Sequence, residues 1–302
     1  LFTALAPTRF ATTTVMFNIL KQASVLGVLS CGVTMILITG QTDISIGSRV
    51  AFTSLICGQM LLSGSPVWLV VLVALFLGAA TGAINAILTE LLNTYLFVIS
   101  MAMMYVWTGI CYLMTGASSL YGFPNGFKAI SQTLIFGQVP SIILVFAASA
   151  LLSAFILGKT YFGRYTYAIG ANREAAYLAG IPVKKYNIMV QAVAGCFIGA
   201  ATIIHMSRTM TAIASTGGTF AFDCITACVL GGGMGKILNA MLGVLVLNVL
   251  FNGLTIMGVN DFWQMVIKGG ILLIAIWLEV LQRRANAKAT KVEAVVAKQQ
   301  AA

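Results

Sequence analysis

The 302-residue chain is 60% apolar and only 8% charged, with a mean hydropathy of +0.99, whereas a soluble domain carries about a quarter charged residues. Such a chain would present water with a surface it does not tolerate, which excludes a water-soluble globular protein. The formal net charge of +10 calls for no nucleic-acid partner, because most of it falls in two connecting segments where membrane orientation and anionic lipid explain it.

At about 20 residues per crossing the chain has room for about eight to ten helices. A transmembrane barrel would show weak alternating segments of about ten residues, but here the apolar runs are continuous, as in 67–82 and 141–157. The pattern predicts an all-α, polytopic transmembrane helix bundle. About ten helices are expected in the full chain and about nine here, one of them short or broken.

The chain opens at Leu1 without a Met and without a charged segment leading to a cleavage site, so no signal peptide is read. The start reads as a truncation, with one earlier span expected before it. Spans follow near 20–40, 48–63, 67–92, 95–115, 139–158, 186–206, 237–257 and 262–281. Within 67–92, Gly78, Gly82, Ala83 and Ala86 make small faces that predict close packing on a neighbouring helix. A shorter apolar piece, 222–232, fits a broken or tilted helix, which a membrane tolerates only where protein or a water-filled cavity covers its backbone. Six cysteines (Cys31, Cys57, Cys111, Cys196, Cys224 and Cys228) all sit in apolar stretches, and the single histidine, His205, completes no tetrahedral metal set with them.

Charge predicts the orientation. Segment 159–185 carries Lys159, Arg164, Arg173, Lys184 and Lys185 against Glu174 alone, and the tail carries Arg283, Arg284, Lys288, Lys291 and Lys298 against Glu293. These ten of the seventeen basic residues place both segments in the cytoplasm by the positive-inside rule. Four crossings then separate them, with Lys236 inside and the turn 258–261 outside, and five crossings before residue 159 put Leu1 outside. Residues 1–281 read as a single transmembrane domain containing the cytoplasmic loop 159–185, and 282–302 as a basic cytoplasmic tail.

Loop 159–185 is the most informative polar stretch. Residues 172–179 (NREAAYLA) make a short helix with Asn172 as N-cap, Gly180 as its stop and Pro182 against continuation. Such a helix is either a docking element for another protein or an ordinary surface connection.

Three stretches together resemble the permease subunits of ABC sugar importers of the ribose, xylose, galactose and autoinducer-2 group. The first is Gly32-Val33-Thr34-Met35 continuing to Thr39-Gly40-Gln41-Thr42-Asp43-Ile44-Ser45-Ile46-Gly47-Ser48. The second is Phe162-Gly163-Arg164-Tyr165 with Ala168-Ile169-Gly170-Ala171-Asn172, Ala175-Ala176 and Gly180-Ile181. The third is Asn252-Gly253-Leu254 with Gly258-Val259, Phe262-Trp263-Gln264 and Lys268-Gly269. The resemblance implies a coupling helix in loop 159–185, with Gly170, Asn172, Arg173, Glu174, Ala175 and Gly180 at the ATPase contact. It implies as partners an ABC ATPase subunit, a periplasmic sugar-binding protein and a second permease copy or paralogue, all at a bacterial inner membrane. It also implies no cofactor in this chain, ATP and Mg being bound by the partner ATPase. Two departures stand out. Gln41-Thr42 replaces the family's Gly-Ile before the aspartate, and Gly231–Lys236 is about five residues shorter than the family's glycine-rich stretch. That stretch also imitates a phosphate-cradling loop, but Leu230 stands where the first Gly belongs and Ile237 follows the Lys.

A sugar pathway calls for amides, hydroxyls and aromatic faces. Asp43, Ser45, Asn85, Phe97, Asp223, Asn252 and Gln264 are the candidates, each set against a role in capping, packing or interhelical hydrogen bonding. Tyr95 and Asn248 belong to the same pool. An ion-coupled secondary transporter is the alternative, but it calls for paired buried ionisable residues, and only Asp43 and Asp223 suit it. A membrane enzyme would call for a clustered constellation of His, Cys or carboxylates, which one histidine and scattered acids do not supply.

Overall fold

The computed structural model describes residues 12–135, 137, 139–232, 235–274, 277 and 281. The calls on Leu1, on residues 233 and 234 of the glycine-rich stretch, and on the tail 282–302 lie outside the described residues. Eleven helices run in order: α1 (Thr13–Ile38), α2 (Ile46–Leu62), α3 (Val67–Leu91), α4 (Leu96–Thr115), α5 (Asn125–Gln132), α6 (Ser141–Lys159), α7 (Tyr161–Ala171), α8 (Arg173–Leu178), α9 (Val183–Thr209), α10 (Phe220–Leu230) and α11 (Ile237–Ile256). A twelfth helical segment, α12, covers 261–274. Two antiparallel two-residue pairs, β1 (Leu120–Tyr121) with β4 (Thr211–Ala212) and β2 (Leu134–Ile135) with β3 (Val139–Pro140), are the only strands among the described residues. The predicted all-α bundle is what forms.

Among the described residues six helices, α1, α3, α4, α6, α9 and α11, are long and apolar enough to cross a membrane. The 17 residues of α2 give about 25 Å of helix and the 11 of α10 about 16 Å, at 1.5 Å per residue. Helix α10 therefore reaches across only about half of a hydrocarbon core of about 30 Å, as the short apolar run 222–232 leads one to expect.

The tightest crossing joins α3 to α9. Gly78 lies against the backbone of Gly195 and Gly199, Gly82 against Gln191, and Gly199 against Ala74, each too close to admit a β-carbon. The small faces predicted for span 67–92 thus meet a matching glycine stripe, and the neighbour they serve is α9. Helix α1 sits at the centre, packed by α6, α9, α10 and α11, and its Val28, Leu29 and Met35 are fully enclosed.

The bundle has two ends. At one, α7 and α8 lie across the helix termini: Gly170 sits on the carbonyl of Ile38 at the end of α1, and Arg173 meets Glu90 at the end of α3. The Tyr167 hydroxyl donates to the Gly235 carbonyl, which brings the α10–α11 turn to the same end as segment 159–185. At the other end, α5 packs on α9, where the Ser207 hydroxyl donates to the Phe127 carbonyl at 2.8 Å and to Ser131 at 2.9 Å. Segment 159–182 differs from the single short helix read from sequence, since it holds two helices, α7 preceding α8. The Thr160 side chain caps α7 by accepting from the Gly163 N–H.

Candidate functional site

Polar side chains gather in three places. The first is sealed inside the bundle where α2 begins. There Asp43 accepts from the Ser45 N–H at 2.8 Å and from the Ser45 hydroxyl at 2.6 Å, which fixes the turn into α2. Its other carboxylate oxygen accepts from Arg49 at 2.8 Å, with neither side chain exposed. The guanidinium is otherwise satisfied by the Thr81 hydroxyl at 3.0 Å and the Gly78 carbonyl at 2.9 Å, both on α3. Asn85 closes the network by donating to the Ser45 hydroxyl at 2.8 Å. Arg49 was missed at the sequence level: it stands alone in an apolar span, and its partner lies six residues away across a turn rather than at the helical spacing of three or four.

The second place is a cavity of about 180 Å³ among α1, α9, α10, α11 and α12. Asp223, in the first turn of α10, forms an ion pair with Lys268 of α12 at 3.1 Å and accepts from the Thr219 hydroxyl at 2.9 Å. The Lys268 ammonium also stands 4.9 Å from the centre of the Phe251 ring, a distance that gives a cation–π attraction. His205 and Arg208 of α9 complete the wall, the imidazole edge-on to Phe220. Asn252 sits beside the cavity and donates to the Gln22 amide oxygen at 2.8 Å.

The third place is the α7–α8 end. The Asn172 side chain accepts from the N–H groups of Glu174 and Ala175, both at 3.0 Å, and so caps α8. Gly180, with φ of +83°, turns the chain after it, a left-handed conformation that glycine adopts without steric cost. Of the α8 residues only Ala176 is buried, packed with Ile169 and Val183, while Tyr177 and Leu178 are 70% and 78% exposed. Arg173 donates to the Glu90 carboxylate at 3.0 Å, and Asn187 of α9 donates to the same carboxylate at 2.6 Å. A groove of about 580 Å³ runs beside α8 past Glu174, Tyr177, Pro182, Lys184 and Lys185. In α7, burial pushes the Tyr167 phenol up from its ordinary value.

The seven pathway candidates are therefore dispersed. Asp43, Ser45 and Asn85 share the sealed network. Asp223 lines the cavity, and Asn252 sits beside it on Gln22. Phe97, half exposed on the first turn of α4, borders a polar groove at the α7–α8 end. Gln264 is buried at the α11–α12 turn, where its amide donates to the Val259 carbonyl at 3.0 Å. Coupling candidates Asn172, Arg173, Glu174, Ala175 and Gly180 stay together at α8, while Gly170 serves as a close-packing position against α1.

This architecture, with six long apolar helices among the described residues and α1 central among them, is that of a multi-pass helical membrane protein. Residues 15–276 match the family described as branched-chain amino acid transport system / permease component, and the chain belongs to that family. It is 34% identical over 272 residues, 87% of this chain and 84% of the relative, to the ribose import permease protein of Bacillus subtilis (strain 168). It is 32% identical over 288 residues, 88% of this chain and 86% of the relative, to the galactose/methyl galactoside import permease protein of Salmonella typhimurium. The ribose import permease protein of Escherichia coli (strain K12) is 32% identical over 281 residues, 89% of this chain and 87% of the relative. No solved structure matches the chain.

Proposed function

We propose that this chain is the permease subunit of a binding-protein-dependent ABC importer that carries a monosaccharide or similar small polyol across a bacterial inner membrane. The observation that carries the reading is similarity along most of the chain to import permeases named for ribose and for galactose. Those names favour a sugar over the amino acids in the family's description. Hydrolysis of ATP, with its Mg, belongs to a separate ATPase subunit docked on α8 and the adjoining groove, whose exposed Tyr177 and Leu178 offer an apolar contact. The basic segment 159–185 and the tail then lie in the cytoplasm. A periplasmic binding protein delivers substrate at the α5 end, and a second permease copy or paralogue completes the path. An ion-coupled mechanism is disfavoured because Asp43 and Asp223 are each held by a fixed cation, Arg49 and Lys268.

The test is a pull-down in mild detergent of this chain expressed with its neighbouring operon products, followed by ATPase assay with and without the binding protein. An ATPase that co-purifies and whose turnover responds to the binding protein is the expected result. A chain that purifies alone and moves solute down an ion gradient would overturn the reading.

A further inference from the structure

The cavity beside α10 carries more positive than negative charge. Arg208 and Lys268 both line it, and Asp223 is its one acid, already paired with Lys268 at 3.1 Å. The ion pairs formed among the described residues do not include Arg208. Its place in the last turn of α9 is favourable for a cation, because the helix carbonyls point that way. That end effect does not satisfy the five N–H donors of a guanidinium, and a partly desolvated cation without a counter-ion is costly. A carboxylate matches the guanidinium fork with two parallel hydrogen bonds.

Around this cation the wall is built for hydroxyls. The Gln22 amide oxygen is occupied by Asn252, which leaves its N–H donors for a ligand. The Asn248 amide donates to the Val244 carbonyl, which leaves its oxygen as an acceptor. The Phe251 ring gives a flat apolar face. The volume of about 180 Å³ equals the liquid share of roughly six waters, the scale of a small sugar-like molecule.

We propose that this cavity binds a small polyhydroxylated carboxylate, a sugar acid of the aldonate class, with the carboxylate on Arg208 and the hydroxyls on Gln22, Asn248 and Asp223. The assignment rests on the reading of the chain as a sugar-type permease and narrows its substrate class from neutral sugar to sugar acid.

The experiment measures binding to the full-length chain in lipid nanodiscs, by intrinsic fluorescence and thermal shift. The probes are potassium D-gluconate and D-ribonate, set against D-glucose and D-ribose at matched ionic strength. The wild type is expected to bind each acid about tenfold or more tightly than its neutral counterpart. Arg208→Gln is expected to lose that preference, while Arg208→Lys retains part of it. The wild-type comparison stands even where Arg208→Gln does not fold. Equal or tighter binding of the neutral sugars, no binding of any probe, or a folded Arg208→Gln variant that keeps the preference would each overturn the site. Stimulation of the co-purified ATPase by the binding protein is assayed on the same preparation. An intact response there with no acid preference leaves the importer reading standing and removes only this site.

Discussion

The guanidinium of Arg49 donates to the carboxylate of Asp43 at 2.8 Å in an interior where neither side chain meets solvent. The pair joins the turn into α2 to the middle of α3, because Arg49 also reaches the Thr81 hydroxyl and the Gly78 carbonyl. Removing one partner leaves the other charge uncompensated, which costs about 3–5 kcal/mol, whereas replacing both with apolar groups of similar volume is far milder. Asp43→Ala and Arg49→Ala are therefore expected to be strongly destabilised, and the double variant Asp43→Leu/Arg49→Met much less so. Labelling of the buried free cysteines during heating reads this directly, and a double variant as unstable as the sum of the singles would contradict it.

The crossing of α3 and α9 depends on glycine backbones in contact. Gly195→Val has nowhere to place its side chain except into the Gly78 carbonyl and Ala79, so loss of expression or of a monodisperse detergent peak is expected. Gly109 in α4 faces open space, and Gly109→Ala should instead be neutral or stabilising by about 0.5–1 kcal/mol. Equal behaviour of the two variants in size-exclusion profiles would mean that the close approach is not needed.

Exposed α8 positions separate docking from folding. Replacing Glu174 with Lys and Ala175 with Trp alters surface residues, so stability should change by no more than about 0.5 kcal/mol. Transport with the partner ATPase should fall about tenfold or more while ATPase turnover continues. Asn172→Ala removes the cap of α8 at a cost of about 1 kcal/mol and should weaken the same step less severely. Normal uptake by the Glu174/Ala175 variant in proteoliposomes would remove α8 from the coupling route.

Tyr167 binds α7 to the α10–α11 turn through the Gly235 carbonyl. Tyr167→Phe should cost about 0.5–1.5 kcal/mol. Burial raises the phenol's folded pKa above its ordinary value, so the native state favours the protonated form. This contribution is complete below about pH 10 and is lost as pH rises through the folded value. The wild type should therefore lose its margin over Tyr167→Phe only in alkali, and a constant margin in stability curves up to about pH 11 would count against burial of the phenol.

Local chemistry was the legible part of this molecule. The cap at Asn172 and the stop at Gly180 depend on residues within one turn, and both form as read. The small face of α3 was visible at Gly78 and Gly82, but its partner was not, since spacing along one helix does not name the helix it meets. Helix α7 was not read from the sequence, and two of its residues are the glycines Gly163 and Gly170. In the folded chain they are contact points, where the Leu157 and Ile38 carbonyls lie too close for any β-carbon. Arg49 escaped because a charge alone in an apolar span gives no sign of where its counter-ion stands. The gathering of Asp223, Lys268 and Arg208 joins three separate helices, α9, α10 and α12, and only the tertiary fold brings them to one wall.

The shortness of α10 has a consequence for what surrounds the chain. Gly217, just before it, rests on Gly47 in the first turn of α2, and the stretch 213–219 runs without helix or strand. Ser215, Gly218 and Thr219 are exposed there, and hydrocarbon does not wet irregular backbone whose N–H and C=O groups lack partners. This flank is therefore barred to lipid tails and must border water or another protein. A lipid belt around the subunit would then break at this flank of α10 rather than close over it.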